Sequence, residues 1–225
     1  DSIKRLSENG KFLPTYMGDY YLKLCAQLGC NITSGKPEMF ISGECENKAK
    51  ELFKEYNIDK KPFFLMSPGA SYGSAKLWTA EGFARTADLL KEVVDCNIVL
   101  TCGPGEIGLA DEIEKLSKSR LINLSRASIS LDVFKVIVKR CILLIALDSG
   151  PRHFAVALNR PVVVLMGPNG PKYTESEYET GKVIREDIEC SPCQLKTCPT
   201  DRRCMTMITP GKVVQTCMDL IRTDT

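Results

Sequence analysis

Two segments rich in small residues could bind a phosphorylated ligand. Residues 67–78 read SPGASYGSAKLW, and residues 148–154 read DSGPRHF. Small side chains let main-chain N–H groups approach an anion, and Lys76 adds a point charge to the first segment. An ordinary glycine-rich turn with a solvated lysine is the alternative, but both segments lie where a predicted strand ends and a predicted helix begins. We therefore interpret residues 67–78 as a cradle for a diphosphate.

The second segment offers two kinds of contact. The main-chain N–H groups of Ser149 and Gly150 lie at the predicted helix start, where the positive end of the helix attracts phosphate. Asp148 cannot itself hold phosphate, so we expect it to accept hydrogen bonds from sugar hydroxyls or to cap the helix. Arg152 and His153 could supply positive charge or hydrogen bonds, although a single histidine in a chain is usually structural.

A third segment, CGPGEIG at residues 102–108, matches the G-x-G-x-x-G pattern of dinucleotide-binding folds. Two features argue against NAD. The pattern follows the second predicted strand rather than the first, and the next strand is followed by Ser125 and Arg126 instead of an acid for the ribose. Glu106 could bind a ribose by accepting from both hydroxyls, or it could complement the helix dipole as a first-turn acid, and both interpretations stay open. The turn-rich residues 167–174 could form another wall of the same site.

Cysteine usage bears on metal binding and on the redox compartment. The chain has 11 cysteines, four of them close together at Cys190, Cys193, Cys198 and Cys204. This group could bind zinc, but it lacks paired C-x2-C spacings, so we interpret it as a compact structural loop and predict no metal. We expect the scattered cysteines to be buried as small apolar residues, and these are Cys25, Cys30, Cys45, Cys96, Cys102, Cys141 and Cys217. An odd, scattered set indicates the reducing cytoplasm.

The apolar pattern after residue 60 supplies the scaffold for these segments. Runs such as CILLIAL at residues 141–147 are apolar throughout, as in strands buried on both faces of a parallel sheet. The predicted strands cover residues 63–66, 97–102, 121–124, 141–147, 161–166 and 183–185, and the predicted helices cover residues 79–94, 106–117, 130–139, 151–158 and 210–221. The alternation predicts an α/β fold, a Rossmann-like doubly wound parallel sheet whose ligands bind beyond the carboxyl ends of the strands.

The chain divides into two predicted parts. Residues 1–60 form lead-in helices, near residues 16–28 and 44–56, with an interdomain connection, and residues 61–225 form the ligand-binding domain. Because the chain begins with Asp1 rather than methionine, we expect it to be part of a longer protein. Hydrophobic residues make up 44%, charged residues 26% and the net charge is +2, which is typical of a globular protein without the basic field that nucleic acid binding requires. No apolar run reaches membrane-spanning length.

Four segments together resemble a known family. They are PGASYGSAKLW, the GPGE turn, DSGPRHFAVALNRPVVVLMGP and CSPCQLKTCPTDRRCMTMITPGKV, and they extend over residues 68–213. In this order they resemble the ADP-heptose:lipopolysaccharide heptosyltransferases of glycosyltransferase family 9, in particular those like heptosyltransferase II. The resemblance implies a GT-B architecture of two Rossmann-like domains facing across a cleft, of which this chain is the C-terminal, nucleotide-sugar-binding half.

The resemblance also implies roles for single residues. The implied contacts are Ser71, Tyr72 and the catalytic Lys76 at the diphosphate and sugar, Glu106 at the ribose, Ile129 at the adenine, and Asp148, Ser149, Gly150 and His153 along the phosphates and heptose. Two departures from the family stand out. Thr79 replaces a usual Pro, and Asn169-Gly170 replaces a usual Thr-Asp, so one contact to the sugar or acceptor differs.

The implied reaction is an inverting, metal-independent transfer of heptose from ADP-heptose to the inner core of lipopolysaccharide. Its partners would be the nucleotide sugar and the lipid A–core oligosaccharide at the inner membrane surface, with no cofactor and no nucleic acid. The family's general base is an Asp near the start of the N-terminal domain, a region that this chain does not match. Two alternatives stay open: a transferase of the same family with another nucleotide sugar, and a non-catalytic nucleotide-binding module whose cysteines hold zinc.

Overall fold

Strands and helices alternate along most of the chain, as the sequence predicts. The structure is a computed structural model that describes residues 7–8 and 11–223. Its strands are β1 (Ser7–Glu8), β2 (Lys11–Phe12), β3 (Phe63–Ser67), β4 (Asn97–Leu100), β5 (Ile122–Asn123), β6 (Leu144–Leu147), β7 (Val162–Leu165) and β8 (Gly181–Ile184). Its α-helices are α1 (Met17–Gln27), α2 (Gly43–Tyr56), α3 (Ala80–Val93), α4 (Ile107–Leu116), α5 (Leu131–Arg140), α6 (Gly150–Ala157), α7 (Arg203–Thr206) and α8 (Pro210–Thr223).

Within the described residues, six of the strands form one parallel sheet in the order β5-β4-β3-β6-β7-β8, and β1 and β2 form a separate antiparallel pair. The chain starts the large sheet at its middle with β3, places β4 and β5 on one side, and then crosses to β6 on the other side. The point where the strand order reverses, between β3 and β6, is where open α/β sheets bind ligands. The predicted α/β fold class is confirmed.

Helices cover both faces of the sheet, and every residue of the central strand β3 is buried. Successive side chains of a strand point to opposite faces. Accordingly, Phe64 and Met66 pack into the core under α3, α4 and α8, whereas Phe63 and Leu65 pack into the core under α2, α5 and α6. The continuous apolar runs in the sequence are therefore explained by a sheet buried on both sides.

Several strands are shorter than their apolar runs. The run at residues 141–147 predicts a strand of that length, but β6 begins only at Leu144. Cys141 and Leu143 are fully buried all the same, because the segment that leads into the strand is also covered by the cores. The strands β4, β5 and β7 also end before the predicted boundaries, although the N–H groups of Thr101, Leu124 and Met166 still donate to main-chain oxygens of neighbouring strands. The sequence did not predict β1, β2 or the single-turn helix α7.

Single residues end or begin two of the helices. Thr79 caps α3 by accepting a hydrogen bond from the Gly82 N–H at 2.9 Å. Gly29 ends the first helix region with φ of +82°, a conformation that suits glycine. The apolar stripe of α1 is not buried, however, since Tyr21 and Leu24 are exposed and α1 has no buried residue. None of the described helices combines the length and the apolar character needed to cross a bilayer.

Candidate functional site

A cavity of about 350 Å³ lies at the carboxyl edge of the sheet, beside the switch point between β3 and β6. Four loops line it, those that follow β3, β4, β5 and β6, together with the first turns of α5 and α6. Its volume falls in the range of small-molecule sites, about 300 to 1,000 Å³. The location is therefore the one that the topology predicts for a ligand.

One end of the cavity is apolar. It is lined by four apolar side chains, those of Ile129, Leu131, Phe134 and Phe154. The rings of Phe134 and Phe154 meet edge to face with their centroids 5.1 Å apart. Leu131 is exposed although it starts a helix of the domain. An apolar slot with aliphatic and aromatic walls can accept the flat face of a nucleobase.

Glu106 forms the rim between the loops after β3 and β4. Its Oε2 accepts a hydrogen bond from the Gly103 N–H at 3.0 Å, so one carboxylate oxygen closes the turn before α4. A Cβ atom at Gly69 would overlap this carboxylate, so a larger residue at position 69 would require the Glu106 side chain to move. Both interpretations of Glu106 are compatible with this geometry, since the carboxylate stabilises the turn and also lines the cavity.

The polar end of the cavity is the start of α6. Ser149 occupies the N-cap position but makes no side-chain cap bond, and Gly150 and Pro151 follow it along the cavity wall. A helix start without a side-chain cap leaves backbone donors for a ligand, and the helix dipole adds partial positive charge there. Ser71 lines the same cavity from the loop after β3.

Behind this end lies a buried group of charges. The Lys76 Nζ donates to the main-chain oxygen of Asp148 at 2.7 Å and to its Oδ2 at 3.0 Å, and both residues are almost inaccessible, at 8% and 4% exposure. Arg152, with 0% exposure, donates from Nη1 to Asp148 Oδ1 at 3.1 Å and to the Thr174 hydroxyl at 2.9 Å. It also holds Glu179 with two hydrogen bonds, of 2.8 and 3.2 Å.

The charges in this group shift the titration of both carboxylates. Burial by itself would raise the pKa of Asp148, but the charge and hydrogen bond of Lys76, helped by Thr174 and Arg152, hold that pKa below its usual range. Burial raises the pKa of Glu179, and Arg152 offsets only part of that effect. Asp148 is therefore ionised at neutral pH and neutralises much of the charge of Lys76.

Five of the nine predicted site residues line the cavity, namely Ser71, Glu106, Ile129, Ser149 and Gly150. The other four do not. Lys76 and Asp148 pair behind the cavity, and Tyr72 lies beside them with its ring centroid 4.8 Å from the Lys76 Nζ. His153 is exposed on α6, where partial desolvation lowers its pKa and the charge of Arg152 lowers it further, so its ring is neutral at pH 7. The ligand contacts of all nine residues stay predictions.

The carboxylate of Asp148 differs from the expectation in one respect. Its Oδ1 accepts from Arg152, and its Oδ2 accepts from Lys76 and from the Asn169 Nδ2 at 2.8 Å. Protein donors therefore already occupy most of the acceptor positions of the Asp148 carboxylate, which we had expected sugar hydroxyls to use. The sequence contains only a weak indication that Arg152 would bind Asp148. A buried arginine cannot be distinguished from a phosphate-binding arginine without knowledge of its partner Glu179, which lies 27 residues away.

The cysteine-rich segment, residues 190–204, packs against the loop after β3. Lys196 accepts a hydrogen bond at its main-chain oxygen from the Ala75 N–H at 3.0 Å, and the Tyr72 hydroxyl donates to the Gln194 main-chain oxygen at 3.0 Å. A Cβ atom at Gly73 would overlap the Lys196 oxygen. This segment therefore helps to shape the predicted diphosphate loop, a role that the sequence analysis did not assign to it.

All the cysteines are free thiols. Of the scattered cysteines, Cys96, Cys141 and Cys217 are buried as expected. Cys45 and Cys102 are only partly buried, and the expectation is wrong for Cys25 and Cys30, which are exposed. They lie on α1 and just beyond it, where no core covers the helix. Among the residues that the structure describes, no three or more His, Cys, Asp or Glu side chains are arranged to hold a metal ion.

Comparison with known proteins identifies the family. The model of glycosyltransferase family 9 (heptosyltransferase) matches residues 17–203. A lipooligosaccharide heptosyltransferase 2 from Campylobacter jejuni is 31% identical over 169 residues, which cover 72% of this chain and 52% of the relative. A lipopolysaccharide heptosyltransferase 2 from Escherichia coli is 31% identical over 134 residues, which cover 56% of this chain and 37% of the relative.

Solved structures agree with these sequence matches. The glycosyltransferase family 9 protein from Veillonella parvula superposes with a TM-score of 0.79 at 22% identity and covers 98% of this chain and 63% of that one. The ADP-heptose LPS heptosyltransferase II from E. coli gives a TM-score of 0.69 at 25% identity, over 84% of this chain and 54% of that one. The chain thus spans about half the length of the curated relatives, and the fold class implied by the resemblance, one half of a GT-B enzyme, is confirmed. The chain belongs to glycosyltransferase family 9.

Proposed function

We propose that the protein is a heptosyltransferase that transfers heptose from ADP-heptose to the inner core of lipopolysaccharide, and that this chain is its donor-binding half. The observation that supports this most is that five predicted donor contacts, contributed by four separate loops, line one cavity at the switch point of the sheet. The names of its relatives, heptosyltransferases of lipopolysaccharide or lipooligosaccharide, supply the class of substrate.

The donor would lie along the cavity from its apolar to its polar end. The adenine would occupy the slot between Ile129 and Phe154, and the ribose would bond to the free capacity of the Glu106 carboxylate. The diphosphate would then reach the main-chain donors of Ser149 and Gly150 at the start of α6. This direction leaves the sugar near the loop after β3, outside the apolar slot.

Stabilisation of the charge on the leaving group would lower the barrier to transfer. Negative charge grows on the ADP leaving group as the glycosidic bond breaks. The α6 start, with the residual positive charge of Lys76 behind it, would stabilise that charge without a metal. An acceptor hydroxyl that attacks from the opposite face inverts the anomeric centre, and it needs a general base to take its proton. We expect that base outside this chain, in the remaining half of the protein.

The acceptor and the cellular setting belong to the same proposal. The acceptor would be the lipid A–core oligosaccharide at the inner membrane surface, reached from the cytoplasm. Eleven free thiols are compatible with such a reducing compartment.

Calorimetric titration with a panel of nucleotides tests the donor assignment. We expect ADP and ADP-heptose to bind, and UDP and GDP to bind at least about tenfold more weakly, because the apolar slot would take the adenine, whereas the ribose at Glu106 is common to all of these nucleotides. Equal binding of UDP would favour a family member that uses another nucleotide sugar. No binding of any nucleotide would contradict the proposal.

A further inference from the structure

Arg152 is the most completely buried charged side chain of the described residues, and none of the proposed donor contacts involves it. Its guanidinium makes four hydrogen bonds, two to Glu179, one to Asp148 and one to Thr174. Four of its five N–H donors are used by protein acceptors, and the side chain has no exposed surface, so Arg152 is not placed to bind a phosphate itself. Its effect on the site must therefore pass through the residues that it holds.

The charges alternate in a continuous row. Glu179, just before the edge strand β8, holds Arg152, Arg152 holds Asp148 at the end of β6, and Asp148 holds Lys76 in the loop after β3. The row therefore crosses from the sheet edge to the switch point. Arg152 occupies Oδ1 of Asp148. Lys76 contacts Oδ2 and the main-chain oxygen of the same residue.

This arrangement decides how much of the Lys76 charge is left for a ligand. A lysine ammonium has three donors, and Asp148 takes two of them. If Asp148 had no second cation, its full charge would fall on Lys76 and would cancel the attraction of that ammonium for an anion. Arg152 neutralises part of the Asp148 charge, so that more of the positive charge of Lys76 remains available to an anion. Glu179 in turn neutralises part of the Arg152 charge and so weakens the effect of Arg152 on Asp148.

We propose that Arg152 and Glu179 are positioning residues for the diphosphate, which set the orientation and the effective charge of Lys76 through Asp148. The proposal rests on the proposed function, since it assumes that the anion in the cavity is the diphosphate of the donor. It predicts opposite effects for the two ends of the row. Loss of the Arg152 charge weakens diphosphate binding, and loss of the Glu179 charge strengthens it.

Titration of the protein with ADP and with adenosine tests this. We expect Arg152→Met to weaken ADP binding about tenfold, the size of one charge-assisted hydrogen bond, and to leave adenosine binding unchanged. We expect Glu179→Gln to strengthen ADP binding severalfold, again without an effect on adenosine. Two residues with a structural role alone would lower the melting temperature and change the affinities for both ligands alike, or for neither.

A double variant and a matched control complete the test. If Arg152→Met does not fold because it leaves Glu179 without its cation, the variant R152M/E179Q removes both charges and should still bind ADP about tenfold more weakly. R85M/E92Q removes an exposed arginine–glutamate pair on α3, and we expect it to bind ADP like the wild type. Wild-type ADP binding together with unchanged affinity in R152M/E179Q overturns this inference alone, whereas absence of ADP binding in the wild type overturns the proposed function and the inference together.

Discussion

Replacement of Lys76 by methionine should destabilise the protein in a pH-dependent way. The substitution keeps the length of the side chain but removes the ammonium that contacts Asp148 at 2.7 and 3.0 Å inside a buried site. Breaking a buried ion pair costs about 3 to 5 kcal/mol. Asp148 keeps the donors of Arg152 and Asn169, so we expect the lower end of that range, about 3 kcal/mol at pH 7.

The pH dependence follows from the lowered pKa of Asp148. A carboxylate whose pKa is depressed in the folded state stabilises the protein above its unfolded-state pKa, and this contribution is lost as the pH falls through the folded-state pKa. In Lys76→Met the carboxyl loses its nearest cation, so its pKa rises and it takes up a proton earlier. The difference in stability between wild type and variant should therefore be largest at neutral pH. It should shrink as the pH falls through the raised folded-state pKa of Asp148 in the variant, because the variant then takes up a proton that the wild type does not.

Urea denaturation of both proteins at several pH values between 7 and 3.5 measures this difference. Lys182→Met, at an exposed position of β8, is the control, and we expect it to change the free energy of unfolding by less than about 0.5 kcal/mol. A Lys76→Met variant as stable as the wild type at pH 7, or one whose deficit does not depend on pH, would refute the reasoning that Asp148 is an ionised, buried partner.

Three further predictions concern the loops and the thiols. Gly73→Ala should lower the free energy of unfolding by about 1 to 3 kcal/mol in denaturant titrations, because its Cβ would overlap the main-chain oxygen of Lys196. Glu106→Gln should keep the melting temperature, since an amide oxygen can still accept from the turn, but should weaken ADP binding about tenfold in calorimetry because the carboxylate charge is lost. In alkylation followed by mass spectrometry at pH 8, the exposed Cys25 should react, whereas the fully buried Cys141, whose pKa burial raises to about 12, should not.

Each of these has a matched control or a contradicting result. Gly105→Ala places a methyl group in open space and should leave stability nearly unchanged, so an equal loss in both glycine variants would contradict the overlap argument. A large fall in the melting temperature of Glu106→Gln would mean that this residue matters for the turn alone. Rapid labelling of Cys141 in the native protein would contradict its burial.

The sequence predicted the scaffold well because local and global signals agree there. Runs that are apolar on both faces can be stable only inside a covered sheet, and the alternation with amphipathic helices leaves few topologies. Helix ends such as those at Thr79 and Gly29 depend on single residues and on neighbours three or four positions away, so they are local features of the sequence. The exact strand lengths were not predicted, because the boundary of β6 depends on pairing with β3 and not on the apolar run.

The candidate site was predicted only in part. Because parallel strands end at one edge, sequence order was enough to expect Ser71, Glu106 and Ser149 in one cavity. The division of the chain at residue 60 stays a prediction, and so do the absence of a cofactor and the identity of the acceptor. The sequence led us to expect that Asp148 accepts from sugar hydroxyls or caps the helix, and its ligand contact stays a prediction. Only the structure shows that the protein donors Lys76 and Arg152 hold its carboxylate.

By itself, the sequence determined the parallel sheet and the edge at which a ligand must bind, because both depend on patterns that repeat along the chain or on neighbours within a turn. It indicated the family through the resemblance of four ordered segments. The tertiary structure alone decided which charges meet. The four residues of the charged row come from three separate regions of the chain; they are Lys76, Asp148, Arg152 and Glu179. Only the packing of β6, α6 and the loop before β8 removes them from water and brings them into contact. Whether a charged side chain faces a ligand or another charge depends on burial, and burial is a property of the fold as a whole.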